Sequence, residues 1–136
     1  MTPADRVALL QSTMAAAYPA RMVTRDLVEF DHRKKEDLAA GIYSIVSLGE
    51  GGYANHNGRE GMDGTHRILL VGQVKLAEKT PPSQVEDAEF AMAEEVKALM
   101  RALPAGLCNL VMTGFEQSGQ ADAPYGWIAV KLEAKE

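Results

Sequence analysis

Residues 83–103, SQVEDAEFAMAEEVKALMRAL, read as one long amphipathic helix, and the rest of the fold is built around it. Val85, Met92, Val96, Leu99 and Leu103 recur at helical spacing and draw a single apolar stripe. Ser83 with Glu86 three positions on has the form of a capping box, which predicts that the helix starts after Ser83. Glu86, Asp87 and Glu89 crowd the first turns, while Lys97 and Arg101 sit near the end, the arrangement that complements the helix dipole. Pro104 and Gly106 stop it. A helix with one apolar face must bury that face against another layer, so the flanking segments are expected to supply a sheet.

Upstream, residues 67–76 alternate. Ile68, Leu70, Val74 and Leu76 fall on one side and Arg67, Gln73 and Lys75 on the other, the period-two pattern of a strand with one face wet. Ile42–Leu48 is a second β-rich run, bounded by Gly41 and Gly49. Between residues 20 and 37 only Leu27-Val28-Glu29-Phe30 has the composition of a short strand. At the start, Thr2 as cap, Pro3 at the first helical position and Asp5 predict a helix whose stripe is Val7, Leu10, Met14 and Ala17/Tyr18, ended by Pro19. Downstream, Leu107–Phe115 and Trp127–Glu133 are β-type runs joined by a polar connector, hence a hairpin. The order predicts a single α+β domain over 1–136, an antiparallel sheet of four to five strands with two helices packed on one face.

The net charge of -5, from 14 Lys+Arg and 19 Asp+Glu, argues against nucleic acid as a partner, because phosphate neutralisation supplies most non-specific affinity. Arg33-Lys34-Lys35 is offset by Asp31, Glu36 and Asp37 and reads as a solvated turn. The start of the chain lacks the pattern of a secretion signal, no run is long enough for a membrane span, and the single Cys108 forms no intrachain disulfide; together these lead us to expect a cytoplasmic protein without a membrane partner. In its β-type run Cys108 reads as a small core residue.

Catalytic, cofactor and metal sites are all expected to be absent. The loop at 49–64 holds six glycines but lacks the Gly-Lys-Ser/Thr of a phosphate loop and runs into a strand rather than a helix. His32, His56 and His66 have no ligand-type spacing, and the one conceivable grouping, His56 and His66 with Asp63, reads as solvated loop polarity. Ser44, Ser47 and Ser118 lack a nucleophile-elbow setting. The 49–64 loop is instead expected to be mobile in an isolated subunit and to act at a protein interface, with Tyr53, His56, Asn57 and Arg59 as contact residues and Trp127 as a further anchor.

An opening amphipathic helix, a hairpin with an extended arm, a long helix ended by Leu103-Pro104 and a last strand Gly126-Trp127-Ile128-Ala129-Val130-Lys131-Leu132 together resemble the tail terminator (minor tail protein U-like) family of long-tailed bacteriophages and prophages. The resemblance extends over nearly the whole chain, departing in the length of the glycine-rich arm and the charged 31–37 segment. It implies a virion structural protein, assembled in the host bacterial cytoplasm, that forms a homohexameric ring on the tail tube. Such a ring stops tube polymerisation and presents a surface for head–tail joining, with the tube protein and the head–tail connector as partners. The competing expectation is a small ligand-binding or regulatory module using the glycine-rich 49–64 loop as a lid.

Overall fold

The computed structural model describes residues 1–53, 62 and 64–135. Three helices are present among them: α1 (Pro3–Ala17), α2 (Lys35–Ala40) and α3 (Pro82–Arg101). The strands are β1 (Met22–Thr24), β2 (Ile42–Gly51), β3 (Thr65–Lys75), β4 (Leu110–Gln117) and β5 (Tyr125–Lys135). They form one sheet in the order β1-β2-β3-β5-β4, antiparallel except for β1, which runs parallel to β2. The fold is therefore α+β.

The alternation of apolar residues decides which face each helix covers. Tyr43 and Ile45 from β2, Ile68 and Leu70 from β3, and Ile128, Val130 and Leu132 from β5 are buried on one face of the sheet. Against them pack Val7, Leu10 and Met14 of α1 and Met92, Val96 and Leu99 of α3, in one contiguous core. The helix starts differ in chemistry. Thr2 caps α1 through a reciprocal pair with Asp5, as expected. The start of α3 corrects the sequence reading: Pro82 is the first helical residue, Pro81 occupies the cap, and no side chain caps the helix. Pro82 has its φ preset for that position, so the helix begins two residues early and places Ser83 inside the first turn, where its hydroxyl does not cap. Glu86 instead accepts a hydrogen bond from Gln120 at 2.9 Å.

Two acids of α3 tie the layers together. Glu95 receives Arg21 at 2.6 and 3.2 Å and the Tyr43 hydroxyl at 2.9 Å, while its backbone oxygen accepts from Tyr18 at 2.7 Å. Arg21 also donates to Ala40 O at 2.8 Å, and it lies so close to Gly41 that a Cβ there would overlap the guanidinium. Gly41 has φ +88, a conformation disfavoured for any other residue. Burial and the neighbouring Glu95 carboxylate push the Tyr43 phenol far above its ordinary pKa, so it stays a neutral donor. Glu89, placed from the sequence among the acids of the first turns, is 1% exposed. It accepts from Trp127 N at 2.9 Å, Gln117 Nε2 at 3.3 Å and Ser118 Oγ at 2.5 Å, which locks α3 to the β4–β5 connection. Gly126 makes this approach possible, since a Cβ at that position would come within 2.8 Å of Val85 and 3.0 Å of the Glu89 carboxylate.

The other face of the sheet is not uniformly wet. Leu27–Phe30 is not a strand: the parallel strand falls five residues earlier, at Met22–Thr24, and residues 25–34 cross the second face as a strap. Its apolar residues are needed as cover, so they cannot also serve as a strand buried in the ladder. Gln73, expected at the surface, is 4% exposed beneath the strap and donates to Val28 O at 3.0 Å. Arg33 fastens the strap by donating to Asp26 O at 2.7 Å and Ser44 Oγ at 3.1 Å. The charged 31–37 segment is thus no simple solvated turn but the end of this strap, a short 3₁₀ turn at Phe30–His32 and the start of α2. Leu107, expected to open the fourth strand, lies in a 3₁₀ turn that precedes β4, and Cys108, expected in the core, is exposed just after it.

Truncation of Leu99 to Ala is expected to cost about 2–5 kcal/mol in urea unfolding, as for other large-to-small changes in a packed core. Ser83→Ala, by contrast, should change stability by less than about 0.5 kcal/mol, because no cap is lost. A cost near 1 kcal/mol would restore Ser83 as the cap.

Candidate functional site

Of the residues marked from the sequence for an interface, Tyr53 and Trp127 are described, and they lie toward opposite ends of the sheet. Tyr53 is 42% exposed at the foot of the 49–64 loop, and a hydrogen bond with the Glu50 carboxylate raises its pKa. His56, Asn57 and Arg59, with Asp63 and the expected mobility of that loop, lie outside the described residues. The loop springs from the end where Gly51 pairs with Thr65 and Thr65 with Lys135. Trp127 pairs with Gln73, eight positions further along β3, roughly 26 Å away at strand rise. The two anchors therefore do not touch within a subunit.

Around Trp127 the chain builds a cavity of about 750 Å³. One wall is the strap, Leu27 to Asp31, and the other is the entry to β5, with Asp122, Ala123, Tyr125 and Trp127. Gln73 forms part of the lining between them. Strand alternation explains the aromatic wall: Tyr125 and Trp127 are odd-numbered residues of β5, and the even-numbered ones face the helices. Phe30 meets Tyr125 with ring centroids 4.9 Å apart and a tilt of 59°, a favourable edge-to-face relation. The Trp127 indole donates to Asp122 at 3.3 Å. Among the described residues, three carboxylates, Glu29, Asp31 and Asp122, line the cavity, and no Lys or Arg does. Two neighbouring cations are already engaged: Lys75 lies 5.2 Å from the centre of the Tyr125 ring and pairs with Glu78 at 2.9 Å, and Arg33 holds the strap. The pattern was invisible in the sequence because its parts come from three distant segments. The described feet of the 49–64 loop lie at the far end of the sheet from this cavity, whose wall is the strap.

Beyond the strap, the same face carries a second feature. Val46, Leu69, Val71 and Ala129 are half-buried neighbours, paired as Val46 with Leu69 and Val71 with Ala129. Leu48 and Val111 extend the patch at 57% and 49% exposure. Ion pairs rim it, Lys131 with Glu116 at 3.0 Å and Arg67 with Glu133 at 3.7 Å.

His66 belongs to neither feature. It lies on β3, facing the helices, and is fully buried. Its Nδ1 is 2.9 Å from Arg6 Nη1, and its Nε2 is 2.9 Å from Ser47 Oγ. Because a guanidinium can only donate, Nδ1 accepts, the ring is neutral, and the proton on Nε2 is donated to Ser47. Both ring nitrogens are thereby occupied, which leaves none for a metal. Among the described residues no group of His, Cys, Asp and Glu could hold a metal ion, and no helix is long and apolar enough to cross a membrane.

No family model matches the chain, and no curated protein does.

Burial, and next the charge of Arg6, depress the His66 pKa below its ordinary value. A folded pKa below the unfolded one, about 6.5, means that the unfolded state binds the proton more readily on acidification. The contribution of His66 to stability is complete above about pH 6.5 and falls as the pH drops through the folded value. Urea midpoints should therefore decline between pH 7 and pH 5, and His66→Gln should flatten that decline. An equally steep decline in the variant would assign it to other groups.

Proposed function

We propose that the chain is a structural subunit of a closed ring, of the tail-terminator type, that caps a phage tail tube and presents a joining surface to the head connector. The observation that carries this reading is the open sheet face. An apolar centre ringed by charged pairs has the anatomy of a protein–protein interface, whose core excludes water while its rim stays solvated. Contiguous exposed apolar surface on a sheet of this kind marks a contact site in a soluble protein.

The sheet edges are poorer candidates for the subunit contact. β1 has three residues, and β4 is bulged between Met112 and Gly114, which interrupts the regular row of donors and acceptors that an added strand would need. The face is therefore the more suitable contact, with the neighbouring subunit as its occupant. The net charge of -5 fits a protein-facing role better than a nucleic-acid-facing one. Tyr53 and the glycine-rich loop, rooted at one end of the sheet, suit contact with the tube or connector.

Light scattering on purified protein should report a single closed oligomer, six subunits being the expected number, and Val71→Glu should convert it to monomers with little change in melting temperature. Val71 is only half-buried, so the new carboxylate can reach water in the free subunit but not in a closed contact. A wild-type monomer at tens of micromolar, or a Val71→Glu ring of unchanged size, would overturn the reading. A second activity, binding of a small ligand, is favoured by a separate observation, the aromatic cavity beside Trp127.

A further inference from the structure

We infer that the cavity between the strap and the start of β5 binds an organic cation, such as a guanidinium or an alkylammonium group. The inference does not rest on ring formation. Its volume, about 750 Å³, lies within the range of small-ligand sites. Its chemistry is one-sided. The three ionisable groups of the lining that carry charge at neutral pH are all carboxylates, Glu29, Asp31 and Asp122. The walls are Phe30, Tyr125 and Trp127, whose ring faces attract cations. Lys75, placed 5.2 Å from the Tyr125 centroid, is an intramolecular instance of that attraction at the cavity's margin.

Gln73, 4% exposed, forms part of the lining and donates its amide nitrogen to Val28 O. Its Oε1 has no hydrogen-bond partner and is closed to solvent, so it is not offered to a ligand. An anion in the cavity would meet three carboxylates, whereas a cation meets those carboxylates and the faces of the aromatic rings, so charge and ring chemistry select the same ligand class.

Such a group can arrive as a free metabolite or as an arginine or lysine side chain of another protein, and the two sources can be separated. Trp127 is the only tryptophan in the chain, so its fluorescence reports on this wall alone. Agmatine, an acetylated and amidated Gly-Arg-Gly peptide, glutarate and neutral butylurea would each be titrated into the full-length protein. The expected result is a saturable change with agmatine, the peptide or both, and none with glutarate or butylurea. Tighter binding of agmatine assigns a free cation, and tighter binding of the peptide assigns a protein side chain; either supports the site. Glu29→Gln with Asp31→Asn should weaken binding on the order of ten-fold or more, since each charge-assisted contact is worth about that. Both positions are exposed, so the fold is spared. Asp122→Asn should act in the same direction. Circular dichroism would verify that each variant is folded. Saturation by glutarate or butylurea as readily as by agmatine would overturn the inference. So would affinity unchanged in the Glu29/Asp31 pair, or no saturation with either cation below roughly 10 mM, where affinity no longer marks a site.

Discussion

Glu89 is the constraint on which the architecture turns. A carboxylate in the middle of an apolar helix face is tolerated only when its oxygens are fully used, and here the donors are a strand amide, an amide side chain and a hydroxyl of the β4–β5 connection. That fixes the entry to β5 against α3, and with it the orientation of the aromatic residues that leave β5 on the opposite face. Glu95, six residues further along, does the corresponding work at the other side of the sheet, receiving Arg21 and Tyr43. The long helix thus clamps both flanks through acids, while its apolar stripe supplies the burial energy between them.

Both acids show where sequence reasoning fails. Periodicity found the α3 stripe because Val85, Met92, Val96 and Leu99 obey a spacing that burial imposes directly. The same spacing places Glu89 on that stripe, yet its charge makes it read as surface. The deciding information was in Gly126, whose missing Cβ admits the carboxylate, 37 positions away. Gln73 is a parallel case: alternation put it correctly on the outer face, but nothing local announced that the strap would cover that face. The strand at Met22–Thr24 was illegible for another reason. Three residues carry no period, and their identity as strand comes only from pairing with Ile42–Ser44.

The candidate site was legible only in fragments. Trp127 could be singled out as the sole tryptophan, and its β5 setting was readable, but its partners Phe30, Gln73 and Asp122 are brought in by the topology. The interface has a similar status. Val46, Leu69 and Val71 look like core residues in the sequence, and on one-sided sheets such residues do face helices. Here both faces of β2 and β3 are apolar, and the two main helices, α1 and α3, cover only one of them.

The strap has a consequence for how the chain folds. The hairpins β2–β3 and β4–β5 close over short separations, but the strap meets β5 across nearly the length of the chain, Phe30 against Tyr125. Loop-closure entropy grows with separation, so contacts of this kind are expected to form last and to open first. The cavity wall is therefore expected to order late, and a molecule seated there would act on the end of the folding reaction. It would slow departure from the native state while leaving early hairpin formation as fast as before.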